Sequence, residues 1–141
     1  IYTQPEGGIL AMVARETAGK GVEFLLQAKA EPGNIGILQF CPTIQSTWSN
    51  IRRVHAGKRP PMVEVLTAKT GVRIVYRAEH NEEGGRFWRK SNENIVAFLD
   101  DEGVVETDLT MFCWASASQI KELALMDNLL SPFVKTILWP L

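Results

Sequence analysis

The chain has 141 residues, of which 45% are hydrophobic and 22% charged, and a formal net charge of −1. That is an ordinary globular composition at the length of one domain, and it lacks the basic excess of a nucleic-acid binder. No apolar run approaches the roughly 18 residues of a membrane span, and no signal-peptide pattern is visible, so a cytoplasmic location is expected. The first residue is Ile1 rather than Met, so the chain is expected to be an excerpt of a larger protein.

Taken in order, Pro5-Glu6-Gly7-Gly8 is a turn signal, and Ile9 to Arg15 is an apolar strand. Ala18-Gly19-Lys20-Gly21 reads as a hairpin turn and Val22 to Ala30 as the returning strand. Glu31-Pro32-Gly33-Asn34 is a strong turn, since Pro fixes one torsion and Gly or Asn accepts positive φ. Ile35 to Cys41, Val72 to Glu79 and Ile95 to Leu99 are further expected strands, with a tight connection over His80 to Gly85. Ser116-Ala117-Ser118-Gln119 fits a capping box, and Ile120, Leu123 and Leu125 are the expected apolar side of the helix that follows. Ser131-Pro132 opens a second helix with Phe133, Val134, Ile137 and Leu138 as its buried stripe. Strands first and helices last predict an α+β fold, a mixed or antiparallel sheet with C-terminal helices, in one module spanning residues 1–141. Cys41 and Cys113 both sit in apolar stretches and are expected to be reduced, buried thiols. Two Cys and two His without close pairs predict no zinc site.

Three segments carry candidate chemistry. From Gln27 onward, Gln27, Lys29 and Glu31 share one strand face, and Leu26, Ala28 and Ala30 share the other. The polar row spans roughly 13 Å, the reach of a sugar plus a phosphate. The plain alternative is a solvated face with one Lys–Glu pair. Next, Pro42 to Asn50 holds Thr43, Gln45, Ser46, Thr47, Ser49 and Asn50, hydroxyl and amide groups that both donate and accept. The plain alternative there is a polar loop with local caps. Trp48 is a candidate stacking surface for a nucleobase, though a Trp is more often packed. The segment runs into Arg52-Arg53-Val54-His55-Ala56-Gly57-Lys58-Arg59, where a local charge of about +4 suits a diphosphate, or simply a solvated loop. His55 is a candidate base because an imidazole titrates near neutrality, although a lone His is more often structural. Glu82-Glu83-Gly84-Gly85 pairs carboxylates with glycines, but on an expected hairpin rather than on the R-E-x-x-E-E helix of magnesium-dependent pyrophosphohydrolases. No metal site is inferred from it.

The words Gln4 to Leu10, Gln27 to Asn34 (Q-A-K-A-E-P-G-N), Gln39 to Asn50 and Val54 to Gly57 resemble the NDP-hexose 2,3-dehydratases of deoxysugar biosynthesis. Glu83 to Arg89 and Asn92-Glu93-Asn94 fit the same family. The resemblance implies one Nudix-like module of the usual two, acting on a dTDP-4-keto-6-deoxyglucose without redox cofactor or metal, in a homodimer or beside a second related module. It implies Glu31 or His55 as the base that takes the C3 proton and Lys29 as the partner of the enolate oxygen. Gln27, Asn34, Gln39, Thr43, Gln45, Thr47, Trp48, Ser49, Asn50 and Glu83 are then candidate contacts to sugar and nucleobase, and Arg52, Arg53 and Arg86 to the diphosphate. The chain departs from the family's usual words at four places. Cys41 stands for a Ser, Trp48 for a basic residue, Ile51 for an aromatic and Ala56 for a Gly. These changes cluster in the ligand-reading segment and point to another sugar nucleotide or to a module that binds without catalysing. A non-catalytic nucleotide-sugar-binding module, or a structural half of such an enzyme, is therefore the alternative expectation.

Overall fold

The computed structural model describes residue 3 and residues 6–32, 34–52, 59–82, 87–100 and 110–140. His55, Arg53, Glu83 and Arg86 lie outside the described residues.

Strand β1 (Gly8–Thr17) is the axis of the fold. It pairs antiparallel with β2 (Gly21–Lys29) from Val13↔Leu25 to Thr17↔Gly21, closing the expected hairpin. It pairs parallel with β6 (Ser91–Leu99) from Gly8↔Asn92 to Arg15↔Leu99. Outside these lie β3 (Gln39–Cys41) on β2 and β5 (Val72–Asn81) on β6, giving the order β3-β2-β1-β6-β5. Two further strands join off this path. β4 (Ile44–Thr47) pairs with β1 over Gly8 to Ala11, and β7 (Phe112–Ser116) pairs with β2. The sheet is mixed, helices α2 (Ala117–Ala124) and α3 (Pro132–Leu138) follow it, and the class is α+β.

The apolar run of β1 has a physical reason: both faces of this strand are covered. Ile9, Ala11 and Val13 point to a core completed by Leu25, Ile95 and Ala97 and capped by Met62, Val63 and Val65 around the 3₁₀ helix Val63–Thr67. Leu10, Met12 and Ala14 point the other way, against Ile120 of α2 and Val134 and Ile137 of α3. Ser116 caps α2 in a complete capping box with Gln119, as its spacing predicts, and Pro132 opens α3.

Two expectations need correction. The apolar stretch Ile35 to Cys41 is a strand only over Gln39–Cys41. Ile35 and Ile37 are 73% and 85% exposed, and Gly36 at φ 99° turns the chain out of any ladder. Leu125 is not on the buried side of α2; it is the C-cap residue, 87% exposed. Among the described residues no helix is long and apolar enough to cross a membrane.

Candidate functional site

The site begins where β1 changes partners. Up to Ala11 its neighbour is β4, and from Val13 its neighbour is β2. β2 and β4 therefore splay apart beyond Leu25, and Thr43 fills the fork. Its hydroxyl accepts from Val13 N–H at 2.9 Å and donates to the Leu25 carbonyl, and the residue is fully buried. Beyond Leu25, β2 leaves β1 and pairs with β3 from Gln27↔Cys41 to Lys29↔Gln39, and its Gln27 and Lys29 share a hollow with Gln45 and Ser46 of β4.

Two adjoining hollows occupy the fork, of about 380 and 310 Å³, and both are lined by Lys29, Gln45, Ser46 and Asn50. Gln27, Thr43, Pro60 and Pro61 extend the smaller one. Glu31, Thr47, Glu82, Phe87, Lys90 and Asn92 line the larger, with Gly8 and Leu10 beneath. At the junction Lys29 Nζ meets Glu31 Oε1 at 2.5 Å, and Gln45 Nε2 donates to both Glu31 oxygens at 3.2 and 3.3 Å. The lysine and glutamate side chains are 30% and 34% exposed, so solvent and ligand can both reach the pair. Screening makes such a pair weak as a stabiliser, so its worth lies in presenting an ammonium and a carboxylate together.

The far wall is built on the β5–β6 hairpin. Glu82 N–H donates to the Lys90 carbonyl at 2.9 Å, which sets the two side chains across from each other, Nζ to Oε2 at 3.6 Å. Asn92 Nδ2 donates to Glu82, and Gly8 N–H donates to Asn92 Oδ1 at 3.0 Å, so this wall is tied to the central strand. A Cβ on Gly8 would stand 2.9 Å from Asn92 Oδ1 and 3.0 Å from the Ser46 carbonyl. Glycine is what lets β4, β1 and β6 close up beneath the cleft. Register sets Gln45, Leu10 and Asn94 in one row across β4, β1 and β6. Asn94 is fully buried, and its amide has no hydrogen-bond partner among the described residues.

The other expected contacts have different surroundings. Asn34 Nδ2 closes the turn onto the Lys29 carbonyl at 3.5 Å, and Gln39 Nε2 donates to the Asn128 carbonyl at 2.9 Å. Thr47 caps α1 (Trp48–Ile51), and Ser49 donates through its backbone and hydroxyl to Glu6. Trp48 is exposed outside the cleft with the Arg52 guanidinium 5.5 Å from its ring centre. Gln27, Lys29, Glu31, Thr43, Gln45, Thr47 and Asn50 are thus gathered in the cleft, and Asn34, Gln39, Trp48, Ser49 and Arg52 are not among its lining. Sequence reasoning placed Ser46 in the polar segment without making it a ligand contact, and it gave no contact role to Glu82, Phe87, Lys90 or Asn92; the Asn92-Glu93-Asn94 word was the available signal.

Both cysteines are free. Burial pushes the Cys41 thiol up and the Glu31 carboxylate adds to this, against Lys29 and a hydrogen bond with Ser131; burial also pushes the Cys113 thiol up. Neither is a ready nucleophile. Among the described residues no group of three or more His, Cys, Asp or Glu side chains is placed to hold a metal ion.

Fold and cleft together define an α+β module whose sheet splays to expose a polar, two-lobed cleft with paired ammonium and carboxylate groups. The sequence model for NDP-hexose 2,3-dehydratase matches residues 1–141, and the chain belongs to that family. It is 36% identical over 138 residues to the dTDP-4-dehydro-6-deoxy-alpha-D-glucopyranose 2,3-dehydratase of Saccharopolyspora spinosa, covering 98% of this chain and 28% of that relative. The enzyme of the same name from Streptomyces violaceoruber is 40% identical over 139 residues, covering 98% of this chain and 30% of the relative. The chain thus spans less than a third of the length of the curated relatives it matches. Among solved structures it resembles a chain in the crystal structure of the complex between the C-terminal domain of mouse MUTYH and human PCNA. The TM-score is 0.51 at 12% identity, covering 95% of this chain and 85% of that chain, a likeness of fold alone.

Proposed function

We propose that this chain is one module of a dTDP-4-keto-6-deoxyhexose 2,3-dehydratase, a carbon–oxygen lyase, and that the fork between β2 and β4 receives the sugar. The observation that carries the reading is the Lys29–Glu31–Gln45 cluster at the junction of the two hollows. The C4 ketone acidifies the proton on C3. Glu31 takes that proton, the C2 hydroxyl departs, and the resulting C2–C3 enol becomes a 3,4-diketo-2,6-dideoxy sugar. Lys29, beside Glu31, faces the negative charge that develops on the C4 oxygen, where a cation is worth most. Gln27, Thr47 and Asn50 are groups of the right kind for the sugar hydroxyls. Arg52, with Arg53 and Arg86, remains the proposed diphosphate contact, His55 the alternative base, and Asn34, Gln39, Trp48, Ser49 and Glu83 the proposed outer contacts to ligand.

The parallel β1–β6 pair among antiparallel strands, with α2 and α3 on one face and the 3₁₀ helix on the other, supports a Nudix-like module. Two such modules per protein, assembly as a homodimer and a cytoplasmic location complete the proposal, and the greater length of the relatives supports the second module. Titration with dTDP and a dTDP-sugar, followed by an assay for loss of water, tests it. Binding with turnover is expected. Binding without turnover would make this the non-catalytic nucleotide-sugar-binding module, and absence of binding would leave a structural half.

A further inference from the structure

The cleft holds two copies of one arrangement. On the β2 side a lysine, a glutamate and an amide stand together as Lys29, Glu31 and Gln45. On the hairpin side the same three groups recur as Lys90, Glu82 and Asn92. All six line the larger hollow. The two copies differ in burial. Lys29 and Glu31 are 30% and 34% exposed, whereas Lys90 and Glu82 are 11% and 9% exposed. A solvated surface pair is not what Lys90 and Glu82 form, and a pair already neutralised from within is a poor seat for a diphosphate. The Lys90 ammonium also lies 4.5 Å from the centre of the Phe87 ring, which faces the same hollow.

β-Elimination of water needs two proton transfers at different atoms. One group takes the proton from C3, and another gives a proton to the oxygen leaving C2, because hydroxide is a poor leaving group. With Glu31 and Lys29 engaged at C3 and at the C4 oxygen, the first requirement is met and the second is not. Resting on the function proposed above, we infer that Lys90 is the general acid that protonates the departing C2 hydroxyl, held in place by Glu82, which Asn92 positions. The C3–H bond breaks and its proton goes to the Glu31 carboxylate. Its electron pair first enters the C3–C4 enolate beside Lys29, then forms the C2–C3 double bond as the C2–O bond breaks with its pair on oxygen. That oxygen takes a proton from the Lys90 ammonium and leaves as water. The enzyme ends with Glu31 protonated and Lys90 neutral, and exchange with solvent restores both. Glu82 and Asn92 are positioning residues, since they act through Lys90.

The test separates the two proton transfers in the full-length protein. In heavy water with a dTDP-4-keto-6-deoxyhexose, C3 exchange reports the base and release of water reports both groups. Lys90→Met is expected to keep C3 exchange within a few-fold of the native protein while dehydration falls by about 10²–10⁴-fold. Lys90→Arg keeps a cation on Glu82 but cannot give up its proton, so it is expected to fail in the same way. Unchanged thermal melting of Lys90→Arg makes the comparison independent of how Lys90→Met folds. Dehydration restored by Arg, or exchange and dehydration lost together in either variant, or dehydration retained in Lys90→Met, would overturn the assignment. Exchange that survives Glu31→Gln would instead remove Glu31 as the base, and a native protein that neither exchanges C3 nor dehydrates the sugar would refute the function on which the assignment rests.

Discussion

Thr43→Val removes one oxygen at almost constant volume from the fork that makes the cleft. In the native chain that hydroxyl satisfies Val13 N–H and the Leu25 carbonyl at once, at a fully buried position. Valine leaves a buried donor and a buried acceptor unpaired, at about 1–3 kcal/mol each, and the added methyl burial returns part of that. A net loss of about 2–4 kcal/mol is expected. At this chain length each kcal/mol lowers the melting temperature by about 2–4 °C, so the midpoint should fall by roughly 5–15 °C. Thr43→Ser, which keeps both hydrogen bonds, should lose about 1 kcal/mol, the worth of a methyl group. Urea titration of both variants, with unchanged slope, gives the comparison. If valine and serine prove equally stable, the threonine is not what holds β1 and β2 at the fork.

Gly8→Ala should cost about 1–3 kcal/mol, because its Cβ meets Asn92 Oδ1 at 2.9 Å and the Ser46 carbonyl at 3.0 Å. It should also weaken ligand binding; calorimetric titration with dTDP-sugar and a melting curve read both effects, and an unchanged pair of values would refute the close approach. Glu23 has its carboxyl held below the usual range by the Thr17 hydroxyl first, then by hydrogen bonding and charge from Arg15, against a burial effect that raises it. A depressed carboxylate stabilises the fold above its unfolded pKa and loses that contribution as pH falls through the folded value. Glu23→Gln should therefore flatten the acid limb of a stability–pH curve and lower stability near neutrality; parallel curves for the two proteins would contradict this.

Those parts of the fold that depend on local pattern were readable from sequence. Six consecutive apolar residues from Ile9 to Ala14 announce a strand covered on both sides, and the Ser116–Gln119 spacing announces a capped helix. Ile35 and Ile37 mislead because periodicity cannot tell an exposed loop isoleucine from a strand one. The polar segment after Pro42 is half strand and half helix, because β4 is held by its ladder to β1 rather than by its own propensity. For the cleft, the near wall follows from the alternation of Gln27, Lys29 and Glu31. The far wall depends on the parallel pairing of Gly8 with Asn92, a contact between residues 84 apart in the chain. Nothing local in Glu82, Lys90 or Asn92 announces that pairing.

The central claim rests on Glu31 as the group that removes the C3 proton. Dehydration of a dTDP-4-keto-6-deoxyhexose by full-length protein carrying Glu31→Gln measures it directly, with affinity for the ligand followed in parallel. The amide keeps the size and a hydrogen-bonding oxygen but loses the basicity, so turnover should fall by about 10²–10⁴-fold while binding changes little. Turnover equal to that of the native protein would contradict the account and remove Glu31 as the base.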